Sequence, residues 1–289
     1  MSFNISVAII VSRVDRGLSC IRAILASTVL PSQLVVVFVG TAENFQTIET
    51  YILQHFNGNY VSVFKKHGSP AQLRNVLINE VVGDDLLILD DDIYIDNDLI
   101  SNFLKCKSML AIKTTHILGC GVRENGFHRE VGARFAKIWR GEEAKIRLEQ
   151  ISLSRFQTLS HDLEKIDLIT QPPFYITHFK YRTTSLKFDE KYPWAYEIFD
   201  WFMQLKSLDI PVLVCSFVGA SHDPGGYVIS ENSAKKNKNH AGFLYFRDKW
   251  SVTPEKYFKH SFLRGILREV TSYYAKKSRV WIKKYVDRR

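Results

Sequence analysis

The first hundred residues alternate between short apolar runs and stretches of helical spacing. Residues 7–11 (VAIIV) are unbroken and rich in β-branched side chains, the pattern of a strand buried on both faces. Leu18, Ile21, Ile24 and Leu25 then recur at helical spacing. Residues 34–39 read as a second buried strand, closed by Gly40-Thr41, residues 45–56 as a helix and residues 60–64 as a third strand. Residues 72–82 are helical in pattern, and residues 86–89 form a short apolar run that ends in Asp90-Asp91-Asp92. This repeated strand–helix order predicts βαβ units, hence an α/β fold with a mostly parallel, Rossmann-like sheet flanked by helices.

Beyond residue 110 the pattern is less regular. Residues 111–122 read as one or two strands, and the Arg-rich residues 123–141 as a loop with some helix. Residues 174–179 alternate as a strand, 196–208 as a helix, 212–217 as a strand, and 221–226 as a tight turn. Residues 227–240 are polar enough to be a flexible connection, and residues 258–286 have few breakers and read as helix. The chain divides into a domain over 1–250 and a basic, aromatic helical tail over 251–289.

Composition narrows the setting. With 289 residues and 46% hydrophobic content the chain can bury a large core. No apolar run approaches the roughly 18 residues needed to span a bilayer. Residues 1–11 have no basic segment ahead of their apolar stretch, so a cleaved signal peptide is not expected. Cys20, Cys106, Cys120 and Cys215 lack CxxC spacing and read as small buried side chains of a reducing compartment, so the expected setting is the cytoplasm. The charge is uneven. Residues 258–289 carry ten Lys and Arg against Glu269 and Asp287, which is +8 of the chain's +9. The rest is close to neutral, which argues against a nucleic-acid-binding core.

The sharpest chemical feature is the run Asp90-Asp91-Asp92 after a buried strand. Three adjacent carboxylates repel one another, and C-terminal strand ends are where open α/β sheets bind ligands. A hard divalent cation, Mg²⁺ or Mn²⁺, bridging carboxylate and phosphate oxygens would remove the repulsion. The alternative is a solvated acidic turn leading into a helix, and the apolar strand before the run favours the metal.

Several segments, in order, resemble the family 2 glycosyltransferases and their GT-A relatives. Residues 7–13 resemble the first strand and its turn, and residues 27–37 the passage into the second strand. Gly68 to Asn75 resembles the "G-x-x-x-x-R-N" helix start, and Gly83 to Asp92 the "G-D-x-hydrophobic-DxD" block. Phe188-Asp189-Glu190, then Glu197 to Asp200, then Ser221-His222 follow as acceptor-side elements do, and residues 246–250 resemble a closing "F-x-x-K-W" segment. The similarity covers about residues 5 to 250.

The resemblance implies a GT-A-like fold and transfer of a sugar from a nucleoside-diphosphate donor to a glycan or lipid-linked acceptor, with inversion, in bacterial surface polysaccharide synthesis. It implies that Asp90, Asp92 and His222 hold Mn²⁺ or Mg²⁺, with Asp92 the most direct ligand. Ser12, Arg13, Thr41, Glu43, Arg74, Asp90 and Asp91 would then serve the donor. Relatives carry Glu-Asp-x-Asp where this chain has Glu197-Ile198-Phe199-Asp200, so the usual base position is Ile198. Glu197 and Asp200 share a helical face; Glu197 is favoured as base and Asp200 is the alternative. Trp194 reads either as a sugar-stacking platform at the acceptor or as a core tryptophan. Relatives also place Asp after the second strand, where this chain has Gly40-Thr41-Ala42-Glu43. A degenerate, glycan-binding protein of the same fold is the second reading. A nucleotidyltransferase is the third, and it lacks the glycine-rich basic loop it would need after the first strand. The basic, aromatic tail suits the surface of an anionic membrane at the inner face, or a helix packed on its own domain.

Overall fold

The computed structural model describes residues 4–124, 131–140, 144–152, 164–169, 172–179, 187–223 and 233–254. Four parallel strands open it: β1 (Ile5–Val11), β2 (Gln33–Val39), β3 (Asn59–Lys65) and β4 (Asp85–Asp90). They are joined by α1 (Val14–Leu25), α2 (Ala42–His55) and α3 (Pro70–Asn79). After β4 come β5 (Ile93–Ile95), α4 (Leu99–Met109), β6 (Ile117–Glu124), β7 (Val131–Arg140) and β8 (Ala144–Ser152). Then follow β9 (Glu164–Ile166), β10 (Leu168–Ile169), β11 (Phe174–Ile176), α5 (Glu197–Ser207), β12 (Val212–His222), α6 (Ser233–Trp250) and β13 (Val252–Pro254).

The main sheet runs β3-β2-β1-β4-β11-β6-β12-β5, with β9 also paired to β12. Strand β11 is antiparallel to β4 and β6, whereas β12 runs parallel to β6. A second sheet has the order β10-β7-β8-β13.

Strand alternation builds two cores, one on each face of the main sheet. Ala8, Val35, Val37, Leu86 and Ile88 point to the face covered by α3, α5 and α6, where Leu77, Trp201, Phe202 and Phe246 pack. Val7, Ile9, Leu34, Val36, Phe38, Leu87 and Leu89 point the other way, onto Ile21 and Ile24 of α1, Ile48 and Ile52 of α2, and Phe103 of α4. Burial on both faces is why these strands read as continuous apolar runs. Each fully buried Leu or Ile stabilises the fold by about 1.5–3 kcal/mol.

Local chemistry fixes the joints. Helix α3 begins with a capping box, in which Ser69 Oγ accepts from Gln72 N and Gln72 Oε1 accepts from Ser69 N, with Pro70 in the first turn. Its expected start at Gln72 was therefore one cap too late. Gly83 is needed before β4 because a Cβ there would meet the Ser6 backbone nitrogen at 2.6 Å. Under β4, the buried Asp85 accepts from Lys107 Nζ, Tyr175 Oη and the His178 amide, so its charge is paired as burial requires.

Three expectations change. Residues 131–140, expected as loop with some helix, form β7 and pair antiparallel with β8. Helix α6 occupies 233–250, replacing most of the flexible connection expected over 227–240. Ser221 and His222, expected in a turn, continue β12 and pair with Tyr94 and Ile93. The tail expected from 251 begins with strand β13, paired to β8; residues 255–289, with the expected helix over 258–286, lie outside the described residues. Among the described residues no helix is long and apolar enough to cross a membrane.

Candidate active site

The C-terminal ends of β1, β2 and β4 open on the same edge of the sheet, and the three aspartates emerge there toward three different partners. Asp91 is buried and caps α1 from outside the helix. Its Oδ2 accepts from Ser12 N at 2.8 Å, Ser12 Oγ at 2.9 Å and Arg13 N at 3.1 Å. No side chain caps α1 from its own N-cap position, so Asp91 satisfies amides that the helix leaves open, next to the positive end of its dipole. The Arg13 guanidinium stands 3.7 Å from Asp91 Oδ1. Cys20 adds a tie from α1, donating to the Ile93 carbonyl at 3.0 Å and the Asp91 carbonyl at 3.3 Å. Burial and the neighbouring aspartates push that thiol far up, so it stays a neutral donor.

Asp90 lies across both nitrogens of Arg74: Nη1 to Oδ1 at 2.9 Å and Nη2 to Oδ2 at 3.2 Å. Arg74 is 4% exposed and its Nε faces Glu197 Oε1 at 3.7 Å. Burial by itself pulls the guanidinium's pKa down, but Asp90, Glu197 and Asp92 outweigh it and the net shift is upward. Asn75, the next residue, clamps Phe188 by donating to its carbonyl and accepting from its amide. The Phe188 ring in turn lies 6.0 Å from the Arg74 guanidinium. The Arg-Asn pair thus orients the site with one residue and fixes the loop beneath it with the other.

Glu197 opens α5 and is 5% exposed. Burial raises its carboxyl above the ordinary glutamate range, with Arg74 opposing. It is an uncommonly basic carboxylate held against a fixed cation.

Asp92 points to the remaining side. Its Oδ2 stands 3.6 Å from His222 Nε2, both side chains being partly exposed. The end of β12 is brought here by pairing of His222 with Ile93 and by the Asp223 amide donating to the Asp92 carbonyl at 2.9 Å. Arg16, buried in α1, donates from Nη1 to the Asp223 carbonyl at 2.8 Å and so ties α1 to the same segment. His222 Nδ1 is buried without a hydrogen-bond partner among the described residues. The Asp92 carboxylate beside His222 Nε2 is a pair of donor types that a divalent cation accepts. Among the described residues no group of three or more His, Cys, Asp or Glu converges in metal-binding geometry, so other ligands to such an ion would come from phosphate or water, as is common for Mg²⁺.

The other candidates separate clearly. Asp200 is fully buried and is enclosed by donors: Tyr192 Oη at 3.1 Å, Gln204 Nε2 at 2.7 Å, Trp250 Nε1 at 2.7 Å and Lys249 Nζ at 2.8 Å. Lys249 also bonds Asp189 at 2.8 Å. Asp200 therefore clamps α6 to α5 from inside the core, which removes it as the alternative base. The same bonds explain the Lys-Trp pair that closes the domain. Thr41 accepts from Asn44 N as the N-cap of α2, and both it and Glu43 are exposed at the end of β2. Trp194 is 36% exposed on the loop before α5. Arg16 and the aromatic group around Tyr196 were not anticipated; a buried arginine has no signature in a single sequence.

No family model matches the chain, and no curated protein does. Solved structures do. S. aureus TarS 1-349 in complex with UDP-GlcNAc superposes with a TM-score of 0.54 at 15% identity, covering 79% of this chain and 61% of that one. The complex of TarS 1-349 with UDP gives 0.53 at 16% identity, over 76% and 60%. S. aureus TarS gives 0.52 at 17% identity, over 76% of this chain and 37% of that one. The chain spans about three fifths of the length of the TarS 1-349 structures. The likeness shows the fold, which is GT-A-like as expected.

Proposed function

We propose that the chain is a nucleotide-sugar glycosyltransferase that uses Glu197 as its base. The observation that carries this reading is the line Asp90–Arg74–Glu197, a buried cation between two carboxylates at the C-terminal edge of a GT-A-like sheet. The donor's diphosphate and ribose would lie over the ends of β1, β2 and β4, near Ser12, Arg13, Thr41 and Glu43. That TarS, of the same fold, is solved with UDP and with UDP-GlcNAc supports such a donor.

In the reaction Glu197 takes the proton of an acceptor hydroxyl, and that oxygen forms a bond to the anomeric carbon. The bond from the anomeric carbon to the diphosphate oxygen breaks on the opposite side, and its electron pair leaves with the nucleoside diphosphate. The sugar is thereby inverted. Burial suits Glu197 to this work, because a raised pKa makes a stronger base near neutral pH. Arg74 holds Glu197 ready and neutralises Asp90, while Asp91 fixes the β1 turn under the phosphates. Asp92 and His222 would hold Mn²⁺ or Mg²⁺, which when bound neutralises charge on the departing diphosphate. The acceptor would be a glycan or lipid-linked oligosaccharide of a bacterial surface polymer, and the charge of residues 258–289 supports contact with an anionic membrane.

The test is calorimetric titration with UDP, GDP and dTDP, each with and without Mn²⁺, followed by turnover with the sugar donor of the base that binds. Mn²⁺-dependent binding of one nucleotide, lost in Asp92→Ala, is the expected result. Failure of all three in both conditions would leave the fold without this activity and favour a glycan-binding protein.

A further inference from the structure

Arg16 is the third residue of α1, and its placement runs against the usual preferences of a cation. The N-terminal end of a helix is the positive end of its dipole, where a guanidinium is disfavoured. Burial adds a second cost by stripping water from the charge, and Arg16 is 7% exposed. Its neighbours Val14 and Leu18 pack on the core under α1, and an apolar residue between them would meet neither cost. The charge is explained by what it holds.

It holds the end of β12. Nη1 donates to the Asp223 carbonyl at 2.8 Å, and Nη2 stands 3.7 Å from Asp223 Oδ2. The backbone support of that end is short. Strand β12 shifts register against β6 twice between Val214 and Ala220. The strand along the other side of its end, β5, is three residues long. Arg16 and Cys20 lie four residues apart, on one face of α1. Cys20 donates to the carbonyl of Ile93, and Ile93 is the residue paired with His222. One helical face thus grips both strands where they meet. At that meeting His222 Nε2 lies 3.6 Å from Asp92 Oδ2, and the Asp223 amide donates to the Asp92 carbonyl.

We propose that Arg16 is a positioning residue: from the first turn of α1 it holds the end of β12 so that the His222 imidazole stays against Asp92. The same turn of α1 receives Asp91 through the Ser12 and Arg13 amides. Helix α1 therefore sets Asp91 directly, and it sets the Asp92–His222 pair through Arg16. Use of that pair for Mn²⁺ rests on the glycosyltransferase reading; the hold of Arg16 on β12 does not.

The experiment compares the full-length wild type, Arg16→Met, His222→Gln and the double variant. Methionine keeps an apolar stem and removes the charge. Asp223 is left beside water, its side chain being 41% exposed, so Arg16→Met is expected to unfold at or above the wild-type temperature. Mn²⁺ is titrated in the presence of UDP, GDP or dTDP and followed by electron paramagnetic resonance. Arg16→Met is expected to weaken Mn²⁺ binding about tenfold. Added to His222→Gln it should weaken binding no further, because Arg16 acts through His222. Losses that add in the double variant would mean that Arg16 meets the ligand itself, and they overturn the proposal. Wild-type Mn²⁺ affinity in Arg16→Met overturns it too. Hydrogen exchange of the amides of residues 219–223 is read on the same proteins without ligand. Exchange at least tenfold faster in Arg16→Met than in wild type is expected, and unchanged protection sinks the proposal. Should wild type bind no Mn²⁺ with any of the three nucleotides, the glycosyltransferase reading falls and the exchange rates alone decide whether Arg16 holds β12.

Discussion

The strand ends of β1 and β4 and the junction of α5 with α6 each hold buried carboxylates, and they hold them differently. At the strand ends, Asp91 is buried against the start of α1, while Asp90 is met by Arg74 on one side and stays partly open to the sheet edge, its side chain 30% exposed. At the helix junction, Asp200 is sealed by donors from α5, α6 and the preceding loop, with nothing left for a substrate. Glu197 stands one helical turn from Asp200 but belongs to the first region, through Arg74. Two acidic residues on one helical face thus split into one that faces the strand ends through Arg74 and one that fastens. A buried carboxylate can meet a substrate only where its shell of donors is incomplete.

Removing Glu197 should affect the reaction most. Glu197→Gln is expected to lower turnover by about 10³-fold while leaving nucleoside diphosphate affinity within about twofold, measured by initial rates and calorimetry. In wild type, activity should climb with pH through a limb above the ordinary glutamate value of 4.5. The linked stability has the same origin. A group whose folded pKa is raised stabilises the fold below its unfolded pKa, and that contribution fades as pH rises through the folded value. Glu197→Gln should flatten that part of the stability–pH curve.

Next comes the fastening residue. Asp200→Ala removes the acceptor that Trp250, Tyr192 and Gln204 share and leaves Lys249 with Asp189 alone, and it is expected to cost about 3–5 kcal/mol in chemical denaturation. Equal stability to wild type would mean that the clamp between α5 and α6 is ornamental. Asp92→Ala is the contrast, with roughly 100-fold weaker Mn²⁺-dependent nucleotide binding and a stability change within about 0.5 kcal/mol. Smallest is Ser12→Ala, which deletes one of three donors to Asp91 and should lower stability by about 1 kcal/mol.

The same contrast decides what was legible in the sequence. Strands β1, β2 and β4 announce themselves because both faces are buried, so every position is apolar. The three aspartates stand out because they follow such a strand, and the GT-A-like order of segments rests on their resemblance to a family. Strand β7 was missed because Arg134, Lys137 and Arg140 interrupt its apolar residues, and only pairing with β8 makes it a strand. The first two turns of α6, Ser233 to Asn239, carry Lys and Asn and almost no apolar side chain; they extend a helix anchored by Phe246 and Trp250 further on. In the site, residue types singled out Asp90, Asp91 and Asp92. Their division among Arg74, Ser12 and His222 depends on what α3, α1 and β12 bring across the sheet, distances of 16 to 130 residues along the chain that no local pattern encodes.

The Asp189–Lys249–Asp200 fastening has a consequence for how this architecture changes over generations. It secures the last turn of α6, whereas Asn239, His240 and Phe243 occupy the turns before it. Substitutions at those positions leave the anchor, the sheet and the aspartates alone. The helix is therefore bolted at one end, and its earlier turns can change sequence while that anchor stays in place.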